Sequence, residues 1–102
     1  MSEATKNDKG KVPLSILTRE SLEAEARAFE YGARKYDRNN YKDGMAWTRM
    51  LDAALRHIIA FNDGEDLDKE SHLCHLAHAK ACLAMLIYYY ENKVGEDDRF
   101  KK

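Results

Sequence analysis

The residues best suited to chemistry are gathered in one stretch of the chain. The sequence contains 4 histidines, and all of them lie between His57 and His78. The acidic segment 65–70 separates the first histidine from the other three. His75 and His78 are spaced so that a helix would place both imidazoles on nearly one face. Imidazoles beside carboxylates can bind a divalent metal or exchange protons with a ligand, so the stretch predicts metal or phosphate chemistry.

Each of these patterns also has a purely structural interpretation. Two histidines at this spacing can simply line a helix interface, and acids before a helix favour its N-terminal dipole. Asp52 and Arg56, four residues apart, can form an ordinary surface ion pair. Residue types and spacing alone leave both interpretations open.

Cationic and aromatic residues earlier in the chain suit a nucleotide. Arg49 and Arg56 lie on one side of a predicted helix, and guanidinium groups match phosphate oxygens in geometry. The segment 31–42 interleaves four cations with three tyrosines, a pattern in which a base can stack while a cation meets phosphate. A solvated connection between helices is the alternative.

Apolar spacing predicts three helices and no strand, hence an all-α fold. The first helix runs from Thr18 or Ser21 to Lys35, the second over 46–62, and the third over 71–92. Trp47, Ala54, Ile58 and Phe61 are among the predicted buried residues of the second helix. The third helix is apolar over so much of its surface that we predict a helical bundle completed by oligomerisation, as a homodimer or larger assembly. Residues 13–93 form the predicted domain, after a flexible tail over 1–12 and before a charged, unstructured tail over 94–102.

Composition narrows the class of protein. The 102 residues are 44% apolar and 34% charged with a net charge of −1, as in a single globular domain without affinity for a nucleic acid polymer. No secretory leader and no membrane-spanning run is recognisable, which predicts a cytoplasmic protein without a membrane partner. Cys74 and Cys82 would lie roughly 12 Å apart on one helix, too far for a disulfide.

Longer blocks of sequence resemble a known family. FEYGARKYDRNNYKDG, DAALRHIIAFNDGEDLDKES and HLAHAKACLAML are similar to the phage and prophage family named for dATP/dGTP diphosphohydrolases, N-terminal type. The resemblance spans about Leu14 to Tyr90 and implies a MazG-like, all-helical, metal-dependent enzyme that acts in the bacterial host cytoplasm. Such an enzyme cleaves purine deoxynucleoside triphosphates, dGTP or dATP, to the monophosphate and pyrophosphate. The matched positions are Gly32, Lys35, Tyr36, Asn40, Asp52, Arg56, His57, Asp68, Glu70, Ser71, His75 and His78.

The resemblance and the residue chemistry together predict three groups of site residues. The catalytic group is Asp52, His57, Glu70 and His75. The substrate-binding group is Lys35, Tyr36, Asn40, Arg49 and Arg56. The group that binds a divalent metal (Mg²⁺, Mn²⁺ or Co²⁺) is Asp68, Glu70, His75 and His78.

The chain departs from the family pattern in ways that keep other functions open. Tyr41 stands where the family usually has Trp, and His72 stands where it often has Gly. MazG-type enzymes carry Glu-Glu-x-x-Glu and Glu-x-x-Asp motifs on helices, whereas this chain has neither motif on a predicted helix, and its only Glu-x-x-Asp, Glu65 to Asp68, lies in a predicted loop. A non-catalytic, nucleotide-binding phage protein, acting as a sponge or regulator through the same pocket, is therefore the alternative to an enzyme. A purely structural phage protein is a third hypothesis.

Overall fold

Three α-helices and two short 3₁₀ turns form the fold. The computed structural model describes residues 3–101. The helices are α1 (Arg19–Lys35), α2 (Trp47–Asn62) and α3 (His75–Asn92), and the turns are Leu14–Ile16 and Asn40–Asp43. Within residues 3–101 the only β pairing is two isolated bridges, so the predicted all-α fold is confirmed. None of the described helices is both long and apolar enough to cross a bilayer.

Helix α1 packs on α3 through small side chains. The Thr18 side chain accepts a hydrogen bond from the Ser21 amide at 3.3 Å and caps α1 as predicted. Buried Ala28 meets Ala77 and Ala81 of α3, and such small residues let the helix axes approach closely. Helical spacing with Phe29 predicts that Leu22 lies on the apolar stripe of α1, but its side chain is 50% exposed.

The larger core lies between α2 and α3. Trp47, Met50 and the fully buried Tyr89 form its centre. The Trp47 indole donates to the Val94 carbonyl at 2.8 Å, and the Tyr89 hydroxyl donates to the Tyr41 carbonyl at 2.7 Å. These bonds satisfy the polar atoms that the two aromatic side chains carry into the core.

The buried face of α2 differs from the predicted one. Ile58 and Phe61 were expected in the core but are 41% and 37% exposed. Trp47 and Ala54 are buried as predicted, but the helix is rotated so that Met50 and the half-buried His57 also lie inward. This rotation is what brings His57 to the histidines of α3.

Several apolar side chains of α2 and α3 remain uncovered by the chain itself. Leu55, Ile59, Leu83 and Ile87 are each between 41% and 61% exposed. Covering such residues would gain hydrophobic free energy. They support the predicted oligomerisation, which stays a prediction that sedimentation velocity would measure.

The C-terminal segment is not the unstructured tail that its composition predicts. Ala46 and Glu96 form a parallel bridge, and the Trp47 amide donates to the Glu96 carbonyl at 2.9 Å. Asp98 accepts from the Thr48 amide at 2.9 Å and from the Thr48 hydroxyl at 2.5 Å. Ala46, the residue before α2, has no polar side-chain atom that could cap the helix. The first free amides of α2 therefore find acceptors in this distant C-terminal segment.

This capping predicts a specific pH dependence of stability. Hydrogen bonds from Thr48 lower the pKa of Asp98. The ionised Asp98 side chain therefore stabilises the fold fully above the carboxyl pKa of the unfolded chain, about 3.9, and this stabilisation is lost as the pH falls below that value. We expect Asp98→Ala to lower the Tm at neutral pH and to flatten the decline in Tm below about pH 4. Thermal unfolding at a series of pH values measures both effects. Asp52→Ala, which removes an exposed acid within α2, is the control, and identical pH profiles for the two variants would contradict the prediction.

Helix α3 begins at His75, later than the predicted Ser71. The Asp68 carboxylate accepts from the Ser71 and Glu70 amides at 2.8 and 3.2 Å, which holds these residues in a turn. His72 then adopts φ 63°, a left-handed conformation that favours glycine and ends any continuous helix. The departure at His72 noted in the sequence therefore falls on a position where the backbone itself suits Gly.

Candidate active site

An open cavity of about 680 Å³ lies between α1, α2 and α3. All residues predicted to bind substrate line it: Lys35, Tyr36, Asn40, Arg49 and Arg56. So do four of the residues predicted for catalysis or metal binding: His57, Asp68, Glu70 and His78. The structure thus gathers residues from all three family-like blocks around one space, which is large enough for a nucleotide.

Two predicted catalytic residues do not line the cavity. Asp52 is exposed and lies about 140° around α2 from His57, at about 100° per residue. Its position gives no support to a catalytic role. His75 is 5% exposed and is buried behind His57, so it can act on the cavity only through its neighbours.

Three imidazoles form a compact cluster at the inner wall of the cavity. Nδ1 of His57 lies 2.8 Å from Nδ1 of His75. The His57 ring also stacks on the His78 ring, with centroids 4.7 Å apart and planes inclined by 17°. Burial lowers the pKa of both His57 and His78. The two neighbouring imidazoles lower the pKa of His57 further, and the Asp68 carboxylate only partly offsets the lowering at His78. Both rings are therefore neutral near pH 7, as a proton acceptor or metal ligand must be.

Asp68 is tied to this cluster through Ser71. Burial opposes ionisation of Asp68, but the hydrogen bonds from the backbone and side chain of Ser71 lower its pKa overall. Ser71 Oγ lies 3.0 Å from Asp68 Oδ2 and 2.6 Å from His78 Nε2, and it accepts from the Leu73 amide. An ionised carboxylate only accepts, so the hydroxyl proton points to Asp68 and His78 donates from Nε2 to Oγ. His78 Nδ1 is then left with a free lone pair.

Glu70 lies apart from the histidines and pairs with a lysine at the rim. Lys35 Nζ is 2.8 Å from Glu70 Oε1. The hydrogen bond from Lys35, followed by one from Tyr31, lowers the pKa of Glu70, and the same bond with Glu70 raises the pKa of Lys35. Both side chains are largely exposed, so the pair contributes little stability. It holds a cation at the edge of the cavity.

The residues that could hold a metal ion in the structure differ from the predicted set. Potential ligand atoms of His57, Asp68 and His75 lie within 4.8 Å of one another. This cluster contains His57 and lacks the predicted Glu70 and His78, since Glu70 pairs with Lys35 and His78 bonds to Ser71.

The ligand atoms that this cluster offers, imidazole nitrogens and a carboxylate oxygen, fit a divalent ion. His75 Nε2 is buried without a hydrogen-bond partner among the described residues, although Glu65 Oε2 lies 3.2 Å away. The oxygen is near enough for electrostatic attraction but off the direction in which the ring N–H would point. The His57 imidazole and the Asp68 carboxylate at the cavity suit Mn²⁺ or Co²⁺ better than Mg²⁺, which prefers oxygen ligands.

Sequence reasoning missed several residues that shape the cavity. Tyr31 lies one helical turn before Lys35, a spacing that could have indicated a shared face. The larger apolar side chains of the lining come from all three helices and from the connection before α2, and no local pattern assigns them to a cavity: Phe29, Met45, Met50, Cys82 and Met85. Burial raises the pKa of the Cys82 thiol, which keeps it protonated and unsuited to nucleophilic attack.

The helical fold and this site define an all-α domain with a cation-lined cavity beside a histidine–carboxylate cluster. The family model described as dATP/dGTP diphosphohydrolase, N-terminal, matches residues 1–99, and the chain belongs to this family. It is also similar to a protein of Salmonella phage PMBT28 named dATP/dGTP diphosphohydrolase, with 37% identity over 94 residues. The match covers 92% of this chain and 32% of that protein, so the chain spans about a third of the length of its curated relative. No solved structure shows significant similarity to the chain.

Proposed function

We propose that this chain hydrolyses the purine deoxynucleoside triphosphates dGTP and dATP to the monophosphate and pyrophosphate, with a divalent metal ion. The observation that carries the proposal is the single cavity that joins Lys35, Arg49 and Arg56 to His57, His78 and Asp68. The name of the phage relative supports the same chemistry. Because that relative comes from a phage, the proposed place of action is the cytoplasm of an infected bacterium.

The cations of the cavity provide the proposed triphosphate site. Arg49 and Arg56 approach from α2, and Lys35 approaches from the end of α1. Guanidinium groups bind phosphate oxygens in pairs, and lysine adds a compact positive charge. Tyr36 and Asn40, on the same rim, would contact the base or sugar.

Water would attack the α-phosphorus in the proposed reaction. A new P–O bond forms to the water oxygen, and the bond between the α-phosphorus and the α–β bridging oxygen breaks. Pyrophosphate leaves with that electron pair. The water proton passes to His78 Nδ1, the lone pair that the Ser71 bond leaves free.

His57 and Asp68, with His75 beside them, would hold the metal. When bound, the ion supplies positive charge that offsets the phosphate charge developing in the reaction. His57 therefore takes the ligand role and His78 the proton-accepting role, the reverse of the roles predicted from sequence. Glu70 would act by holding Lys35.

The direct test is incubation of the chain with dGTP and dATP in the presence of Mg²⁺, Mn²⁺ or Co²⁺. We expect monophosphate and pyrophosphate in equal amounts, with more product in Mn²⁺ or Co²⁺ than in Mg²⁺. Pyrimidine and ribonucleotide substrates measure the specificity. Absence of monophosphate with every metal would refute the catalytic proposal.

Arg56 is expected to contribute to triphosphate affinity. We predict that Arg56→Ala weakens binding of a non-hydrolysable dGTP analogue by roughly tenfold or more, because hydrogen bonds to charged groups contribute about 1.5–3 kcal/mol. Calorimetric titration measures the change. Arg34→Ala is the matched control, since Arg34 pairs with Glu30 at 3.4 Å on the surface of α1 and does not line the cavity. Equal affinities for the two variants would argue against phosphate binding at Arg56.

Nucleotide binding without hydrolysis is the second candidate. The observation that favours it is the shortage of free carboxylates, since Glu70 is paired with Lys35 and Asp68 accepts bonds from Ser71 and Glu70. Tight calorimetric binding with the nucleotide recovered unchanged would decide for this candidate.

A further inference from the structure

We propose that Glu65, His75 and His57 form a directed hydrogen-bond chain in which His57 Nε2 is the metal ligand and His75 is a positioning residue. The inference deepens the proposed function, and its metal-binding part rests on that proposal. It assigns a role to Glu65, whose side chain lies outside the cavity lining, and it gives His75 a role different from direct ligation.

The direction of the chain begins at His75 Nε2. This atom is buried, and among the described residues the Glu65 carboxylate, at 3.2 Å, is the one acidic group within 4 Å of it. An ionised carboxylate can accept a hydrogen bond but cannot donate one. The proton of a neutral His75 ring therefore belongs on Nε2, where a small rotation of the partly exposed Glu65 side chain completes the bond.

The tautomer of His57 follows from the tautomer of His75. A neutral His75 with its proton on Nε2 has only a lone pair on Nδ1. His57 Nδ1 lies 2.8 Å from this atom, so it must carry the proton and donate. The lone pair of His57 is then on Nε2, on a ring that lines the cavity, and no described residue forms a hydrogen bond to that atom.

The backbone holds both ends of the chain in place. The Glu65 amide donates to the Ala60 carbonyl at 3.0 Å, which ties the residue to the end of α2. The His75 amide donates to the Asp66 carbonyl at 3.0 Å, which ties the start of α3 to the same loop. A carboxylate behind a histidine fixes its tautomer and raises the basicity of the ligand nitrogen. Here the effect passes through two rings instead of one.

Nitrogen NMR of the full chain labelled with ¹⁵N-histidine tests the proposal. Spectra without metal at about pH 8, above the ordinary histidine pKa of about 6.5, show the tautomers of neutral rings. We expect the proton on Nε2 of His75 and on Nδ1 of His57. Addition of Zn²⁺, which favours imidazole ligands, should then shift His57 Nε2 as a ligand nitrogen and leave His75 without a ligand shift.

Variants of Glu65 test its role. Glu65→Ala should produce mixed tautomers for both rings and weaken Zn²⁺ and Mn²⁺ binding by about 10–100-fold. Glu65→Gln should keep the tautomers, because its amide oxygen still accepts the bond. Asp66→Ala, which removes a neighbouring exposed charge, is the matched control and should leave both tautomers and affinity unchanged.

Several results would overturn the inference. They are a proton on His75 Nδ1, a Zn²⁺ ligand shift at His75, no Zn²⁺-dependent shift, or unchanged tautomers in Glu65→Ala. The wild-type spectra decide the tautomers even if that variant does not fold. A chain with these tautomers and Zn²⁺ shifts that hydrolyses no triphosphate would contradict the proposed function alone.

Discussion

Replacement of His57 by alanine is expected to reduce hydrolysis of dGTP by at least about 100-fold. A catalytic metal supplies several kcal/mol of stabilisation to the transition state, and each 1.36 kcal/mol corresponds to a factor of ten in rate. His57 is the one residue that lines the cavity, stacks on His78 and contacts His75. Its loss removes the proposed ligand and the contact that orders the other rings. Steady-state kinetics with Mn²⁺ measure the rate, and calorimetry measures the accompanying loss of metal affinity.

His72→Asn is the control for this experiment. His72 is an exposed histidine outside the cavity, and asparagine tolerates its left-handed backbone conformation. We expect this variant to retain full activity. The prediction for His57 would be wrong if His57→Ala, with an unchanged circular dichroism spectrum, hydrolysed dGTP as fast as His72→Asn.

Replacement of Gly95 by alanine is expected to destabilise the fold by at least about 2 kcal/mol, from backbone strain and overpacking together. Gly95 has φ 78°, and a Cβ atom there would collide with the backbone carbonyl of Met45. Relief of the collision would separate the C-terminal segment from α2. The bonds from Trp47 to Val94 and from Thr48 to Asp98 would then be lost. For a domain of this size, the Tm should fall by roughly 10 °C.

Gly64→Ala separates the two causes of that destabilisation. Gly64 also has a positive φ, 99°, but no atom lies within 4 Å of the position of an added Cβ. This control therefore measures the cost of the backbone conformation without the collision. Chemical denaturation of both variants gives the difference, and equal free energies of unfolding would show that the approach of Gly95 to Met45 is not tight.

The sequence by itself determined the helices and nine of the residues that line the cavity. Helical periodicity and capping are local properties, so α1 and α2 lie within a residue or so of their predicted bounds. The cavity gathers the predicted cations, and the chain belongs to the family that its sequence blocks indicated. The start of α3 was misplaced because the Asp68 side chain competes for the amides that a helix would use.

Only the tertiary structure decided which side chains meet. Helical spacing does not specify how far α2 rotates against α3, and this rotation turns Ile58 outward and His57 toward His75. The Lys35–Glu70 pair joins residues 35 positions apart, and the Thr48–Asp98 cap joins residues 50 positions apart. Such contacts depend on the packing of whole elements, whereas sequence patterns report only neighbours along the chain. The roles of Glu65, His75 and Ser71 follow from distances that exist only after the helices have packed.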